Sequence, residues 1–188
     1  VAGGATTTIY PTTMADDVAF IVSDSGAKVI FAENAEQLEK LRGIRASTPA
    51  VTRVIVFDGE PDDSDAWTLN LEEVRQLGRE YLAGDPGAID ARIDGIQHDQ
   101  LATIIYTSGT TGRPKGVRLR HSAWTYEGAA VASTNILNED DLQYLWLPLA
   151  HVFGKVLLTL PLQVGFPTAI DGRIDKIVEN LAVVKPTF

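Results

Sequence analysis

The sequence predicts an α/β fold, a largely parallel sheet with helices on both faces, and three observations carry that prediction. Short apolar runs at Lys28–Ala32, Arg53–Phe57 and Leu101–Thr107 alternate with stretches of helical periodicity. Capping residues and glycines punctuate the helical stretches at their ends. With 188 residues, 45% hydrophobic and 22% charged, the chain has the composition of one well-buried domain and not of a disordered segment.

Taken in order, Thr13 can cap a helix that carries Met14, Val18, Ile21 and Val22 on one face, with Asp16 at the capping-box position. Gly26 ends it, and Lys28–Ala32 reads as a buried strand. Asn34, with Gln37 three residues on, starts a short helix bearing Leu38 and Leu41; Arg53–Phe57 is the next strand. Asn70 and Glu73 form a second capping pair before a helix with Leu71, Val74, Leu77 and Tyr81 inward, ending near Gly84. The Gly-, Pro- and Asp-rich segment 83–100 is the best candidate for an internal linker. Leu101–Thr107 is a strand, Ser122 to about Ile136 a helix, and Gln143–Leu147 a strand. Val152–Val164 follows as a buried helix and Thr168–Ile170 as a strand. Last comes a helix over Ile174–Val184 with Ile174, Ile177, Val178 and Leu181 inward.

Charge narrows the function. A net charge of −9 argues against a general nucleic-acid binder. Asp58, Glu60, Asp62, Asp63 and Asp65 crowd one Pro- and Gly-containing stretch that reads as a solvated loop. Gln100–Tyr126 holds no acidic residue, whereas Arg113, Lys115, Arg118 and Arg120 fall inside it. An acidic protein with one basic island suits an anionic ligand bound there. Cysteine is absent, which removes disulfides and thiolate metal sites and fits a reducing cytosol. The uncharged run Val156–Ile170 is only 15 residues long and broken by Pro161 and Pro167, too short for a membrane span. No charged-then-apolar leader opens the chain, and it begins at Val1.

The chemistry concentrates in Tyr106–Val117, YTSGTTGRPKGV. A strand leads into a loop with four hydroxyl side chains (Thr107, Ser108, Thr110, Thr111) and three glycines (Gly109, Gly112, Gly116). Glycine lets backbone N–H groups approach an anion unobstructed. Hydroxyls donate to phosphate oxygens or ligate Mg²⁺, and Lys115 adds a compact positive charge. The loop is not a Walker A motif, because Lys115 follows Pro114 and precedes Gly116. A polar surface turn has similar composition, so the particular string matters more than its residue types.

That string resembles the signature of the adenylate-forming superfamily, which includes acyl-CoA synthetases, luciferases and peptide-synthetase adenylation domains. The pattern [ST]-[ST]-G-[ST]-T-G-x-P-K-G is matched from Thr107 through Gly116 without a departure. Leu147–Lys155, LPLAHVFGK, is similar to the family's next motif, with His151 as its histidine. Gly4–Thr13, Ser23–Ala32 and the ending Val183–Phe188 resemble the flanking segments. His98 and His121 read as a polar connection and a helix start.

The resemblance implies an acyl-CoA synthetase-like N-terminal domain, of which residues 1–188 are a part, with the family's C-terminal domain absent. It implies ATP, Mg²⁺ and coenzyme A as cofactors and a fatty acid, or another carboxylate, as the substrate. Thr107, Ser108, Gly109, Thr110, Thr111, Gly112, Lys115 and Gly116 would hold the triphosphate, with Thr107 a metal contact. His151 and Lys115 would be the catalytic pair: His151 beside the reacting carboxylate, Lys115 countering phosphate charge or bracing the loop. Leu-Pro-Leu-Ala-His followed by an aromatic, and Lys-Pro-Thr near the end, are more similar to long-chain fatty acyl-CoA synthetases than to amino-acid-activating domains. The family's Tyr-Gly-x-Thr-Glu and Thr-Gly-Asp motifs do not occur, so the chain alone is expected to be inactive. Adenylation of an aryl or amino acid, and a non-catalytic nucleotide-binding fragment, remain the alternatives. A cytoplasmic location is expected; peripheral membrane contact and an oligomeric parent are left open.

Overall fold

In the computed structural model of the chain, residues 3–61, 66–107 and 112–188 are described. The order is β1 (Thr6–Thr7), α1 (Ala15–Ser25), β2 (Val29–Asn34), α2 (Ala35–Ile44), β3 (Arg53–Asp58), β4 (Thr68–Asn70), α3 (Leu71–Gly84) and α4 (Ala88–Asp94). Then come β5 (Leu101–Thr107), β6 (Lys115–Arg120), α5 (His121–Ser133), β7 (Gln143–Leu145), α6 (Val152–Val164), β8 (Thr168–Ile170) and α7 (Ile177–Val184). Strands assemble in the orders β1-β5-β6, β2-β3-β4 and β7-β8. The pairs β1–β5, β2–β3, β3–β4 and β7–β8 are parallel, so the α/β architecture read from the sequence is the one observed.

Two compact units result. One comprises Val1–Gly4, Pro11–Ile96 and Tyr106–Gly116; the other comprises Ala5–Tyr10, Gln97–Ile105 and Val117–Phe188. One of the five points at which the chain passes between them, Ile96–Gln97, lies in the 83–100 segment, part of which is helical as α4.

In the first unit, parallel pairing of β2 with β3 requires a crossover, and α2 supplies it. Val18, Ile21 and Val22 of α1, Leu38, Leu41 and Ile44 of α2, and Val54, Ile55 and Val56 of β3 form the core. The Asn34 side chain accepts the Gln37 N–H at 3.1 Å, as its spacing predicts. At α3, Asn70 and Glu73 exchange both capping bonds, 2.8 and 2.7 Å. Gly26 closes α1 at φ +67°, a conformation that favours glycine.

Several local expectations need correction. Met14, not Thr13, is the N-cap of α1, and Asp16 therefore sits one position early for a capping box. The Thr13 carbonyl instead accepts from Lys40 Nζ at 3.1 Å, and Met14 is exposed. Strand β2 runs one residue later at its start than predicted and two later at its end. Ala32 alone of its residues is buried, so the expected buried strand is a half-open one. Phe31 and Phe57 stack at 5.7 Å between centroids while remaining 57% and 55% exposed. No residue of α3 is buried, and its predicted inward Leu77 and Tyr81 are exposed. Periodicity supplies an apolar stripe; it does not supply the surface that covers it. Of the acidic loop, residues 62–65 lie outside those described.

In the second unit, Thr103, Ile105, Gln143, Tyr144, Leu145, Leu160 and Phe166 are buried. Helices α5 and α6 approach closely where Gly128 faces Gln163: a Cβ on Gly128 would meet the Gln163 Cβ at 3.3 Å. Pro161 lies within α6 and cannot donate to the Leu157 carbonyl four residues back. The buried Gln143 side chain donates to that carbonyl instead, at 2.8 Å, which satisfies the acceptor the proline leaves open. Asn180 Nδ2 donates to Tyr144 Oη and to Asp171, each at 2.9 Å, and ties α7 to the β7–β8 edge. The predicted terminal helix begins as a 3₁₀ turn, Ile174–Lys176, and Ile174, Val178 and Leu181 are exposed where burial was predicted. Helix α5 stops at Ser133, short of the predicted Ile136, with Asn135 at φ +53° just beyond. Strand β7 stops at Leu145, two residues before the predicted end.

Candidate functional site

The signature segment belongs to the first unit at Tyr106–Gly116. Ala102, Thr103 and Ile105 are buried along β5, and the strand reaches an exposed Thr107 at its end. Ser108, Gly109, Thr110 and Thr111 lie outside the described residues. Gly112 takes φ +91°, a value strained for any other residue, and turns the chain into Arg113 and Pro114. Lys115 then opens β6, a strand the sequence reading did not predict, and is exposed together with Gly116. The Lys115 ammonium makes no hydrogen bond or ion pair with the described residues. Arg113, Arg118 and Arg120 are likewise exposed.

Both ends of the segment touch one helix. Tyr106 Oη donates to Asp24 Oδ2 at 2.6 Å, across 82 residues of sequence. Burial and the Asp24 carboxylate push the Tyr106 phenol well above its ordinary value, so it stays a donor at any physiological pH. The Arg113 guanidinium lies over the Phe20 ring, 5.5 Å from its centroid. Exposed contacts of that kind contribute about 0.5–1 kcal/mol. Phe20 and Asp24 are one turn apart on α1 and share a face.

The histidine motif belongs to the second unit. The chain turns after Pro148, whose carbonyl accepts the His151 N–H at 3.0 Å. His151 is the N-cap of α6, and its Nδ1 accepts the Phe153 N–H at 3.2 Å. That bond leaves the proton of the neutral ring on Nε2, which faces no described partner, and the residue is exposed. Gly154 is required by close approach: a Cβ there would collide with the Pro148 carbonyl oxygen and sit 3.2 Å from that of Leu147. The Thr8 hydroxyl donates to the Leu149 carbonyl at 2.6 Å and fixes the outer side of the turn.

Sequence reasoning missed three residues. Lys155, one helical turn after His151, is 9% exposed; its ammonium makes no hydrogen bond or ion pair with the described residues, and burial pushes its pKa down. Its signal was the single charge in an otherwise uncharged helix, VFGKVLLTLPLQV. Asp24 and Phe20 had no sequence signal, because their partners lie more than 80 residues away. The signature segment and His151 fall in different units. His121 begins α5, and the His98 carbonyl accepts the Ser122 N–H at 2.9 Å, both consistent with structural duties.

Among the described residues no group of three or more His, Asp or Glu side chains could hold a metal. A single hydroxyl such as that of Thr107 suits Mg²⁺, which keeps most of its shell as water and phosphate oxygen. Among the described residues no helix is long and apolar enough to cross a membrane.

Comparison with known proteins agrees with the motifs. Long-chain-fatty-acid–CoA ligase FadD15 of Mycobacterium bovis is 31% identical over 187 residues, covering 98% of this chain and 30% of that protein. Long-chain-fatty-acid–CoA ligase ACSBG1 of Homo sapiens is 32% identical over 197 residues, covering 99% of this chain and 26% of that one. The chain thus spans under a third of the length of these relatives. The anthranilate CoA ligase AuaEII, solved with anthranoyl-AMP, superposes with a TM-score of 0.71 at 19% identity, over 95% of this chain and 33% of that one. ATP-bound MatB from Rhodopseudomonas palustris gives 0.65 at 21%, over 97% and 33%. Both show the shared fold. The family described as AMP-binding enzyme matches residues 1–188 without remainder, and the chain belongs to that family.

Proposed function

We propose that the chain is the ATP-handling part of a longer enzyme that activates a fatty acid as its acyl-adenylate and transfers the acyl group to coenzyme A. The observation that carries this reading is the uninterrupted signature Thr107–Gly116, which runs from the end of β5 to the start of β6 and includes an exposed Lys115. In the first step a carboxylate oxygen attacks the α-phosphorus of ATP, the bond to the bridging oxygen breaks, and pyrophosphate leaves. In the second the thiolate sulfur of coenzyme A attacks the acyl carbon and AMP departs. Positioning and charge neutralisation are the protein's share of such chemistry.

Thr107 through Gly112, with Gly116, would cradle the β- and γ-phosphates, and Lys115 would oppose their charge or brace the loop. Thr107 would offer one hydroxyl to Mg²⁺, which when bound neutralises triphosphate charge. His151, with Nε2–H unengaged by described residues, would orient the carboxylate or its adenylate. Names of relatives at 31% and 32% identity favour a long-chain fatty acid over an aryl or amino acid. A cytoplasmic enzyme fits a cysteine-free chain.

The test is carboxylate-dependent ATP–pyrophosphate exchange with fatty, aryl and amino acids. The full-length protein should exchange with fatty acids and the 188-residue chain alone should not. Exchange confined to aryl or amino acids would replace the substrate class. ATP binding without exchange would favour a nucleotide-binding module over an enzyme.

A further inference from the structure

The geometry points to α1 as a bracket for the phosphate loop: Asp24 and Phe20 are positioning residues that hold its two ends through Tyr106 and Arg113. This rests on reading Thr107–Gly116 as the triphosphate loop. The bracket itself stands on contacts independent of any ligand.

Any chain segment loses conformational freedom when it is ordered around an anion. The more of that freedom the fold removes beforehand, the tighter the ligand binds. Tyr106 is the residue immediately before the signature string and Arg113 lies within its last four positions. Tyr106 is held by Asp24 at 2.6 Å, and Arg113 rests on Phe20 at 5.5 Å. The two holding residues are four apart on one helix, so they lie on one face and move as one body. Helix α1 is itself anchored, with Val18, Ile21 and Val22 buried in the core. The helix therefore ties the loop's feet to the core, and neither Asp24 nor Phe20 need touch the nucleotide.

The experiment uses the full-length protein and the variants Asp24→Ala, Asp24→Asn, Tyr106→Phe, Phe20→Leu and the double variant Asp24→Ala/Tyr106→Phe. Two readouts are taken: amide hydrogen exchange over 107–116, and KM for ATP against KM for the fatty acid. Asp24→Ala and Tyr106→Phe should each speed exchange over 107–116 and raise KM for ATP about three- to tenfold, with KM for the acid unchanged. The double variant should be no worse than either single, because both remove one bond. Asp24→Asn keeps an acceptor and should recover most of the loss. Phe20→Leu keeps the burial but loses the ring face, and should show the smaller effect. Unchanged exchange over 107–116 in Asp24→Ala, additive effects in the double variant, or faster exchange spread equally through α1 would each overturn the bracket. A loosened loop in a protein whose wild type shows no ATP affinity would leave the bracket standing and remove the nucleotide reading.

Discussion

The two motif regions are held by opposite means. The signature segment is fixed at its feet by side chains that arrive from α1, 82 residues away for Tyr106. The histidine turn is fixed mostly by its own neighbours: Pro148 to His151, His151 to Phe153, and the backbone crowding of Gly154 on Pro148. A distant contact, from the Thr8 hydroxyl to the Leu149 carbonyl, reinforces it. Local backbone crowding admits one geometry and tolerates little, whereas a side-chain tether can be cut without a backbone clash. Damage at the turn should therefore read out as stability, and damage at the loop as ligand affinity.

Substitutions can break that contrast. The largest effect is expected at Gly154→Ala, where the new methyl would overlap the Pro148 carbonyl and the turn must open. Overpacking of this kind costs about 1–3 kcal/mol, read as a lower melting temperature. An unchanged melting temperature would show that the turn yields freely and that the contrast is wrong. Next comes Lys115→Ala, at an exposed strand start. It should lower kcat/KM for ATP about tenfold, since a cation beside triphosphate meets concentrated charge. Stability should move by no more than about 0.5 kcal/mol, as at other surface sites. Unchanged ATP kinetics would reduce Lys115 to a solvated bystander.

His151 sharpens the contrast, because it is both a cap and a candidate site residue. His151→Ala should lose the acceptor for the Phe153 N–H and cost about 1 kcal/mol of stability. It should also slow single-turnover adenylate formation more than it weakens ATP binding. His151→Asn keeps a capping acceptor without the imidazole, and should recover the melting temperature but not adenylate formation. Recovery of both would assign His151 to the cap alone.

Legibility followed the range of the interactions. Strand β5, helix α6 and strand β8 match their predicted bounds residue for residue, each being an apolar run between clear breakers, but α6, predicted as a buried helix, exposes Val152, Phe153, Leu158 and Leu162. The Asn34 and Asn70 caps were legible because donor and acceptor are three residues apart. Strand β6 was not, because KGVRLR carries only two apolar residues and its basic ones look like loop. Strands β1 and β4 span two and three residues, too few to show any period. The helix start at Val152 was legible, but His151 was read for chemistry and not as its cap. What covers the apolar stripes of α3 and α7 is tertiary, and no local pattern encodes it.

Phe20 and Asp24 also make α1 a measure of length. An α-helix rises 1.5 Å per residue, so the two contacts are set about 6 Å apart along its axis whatever the loop between them does. The spacing from Tyr106 to Arg113 is gauged against a rigid rule, and one residue added to α1 between Phe20 and Asp24 would swing one contact about 100° around the axis. A change of helix register between Phe20 and Asp24 therefore cannot leave both contacts standing.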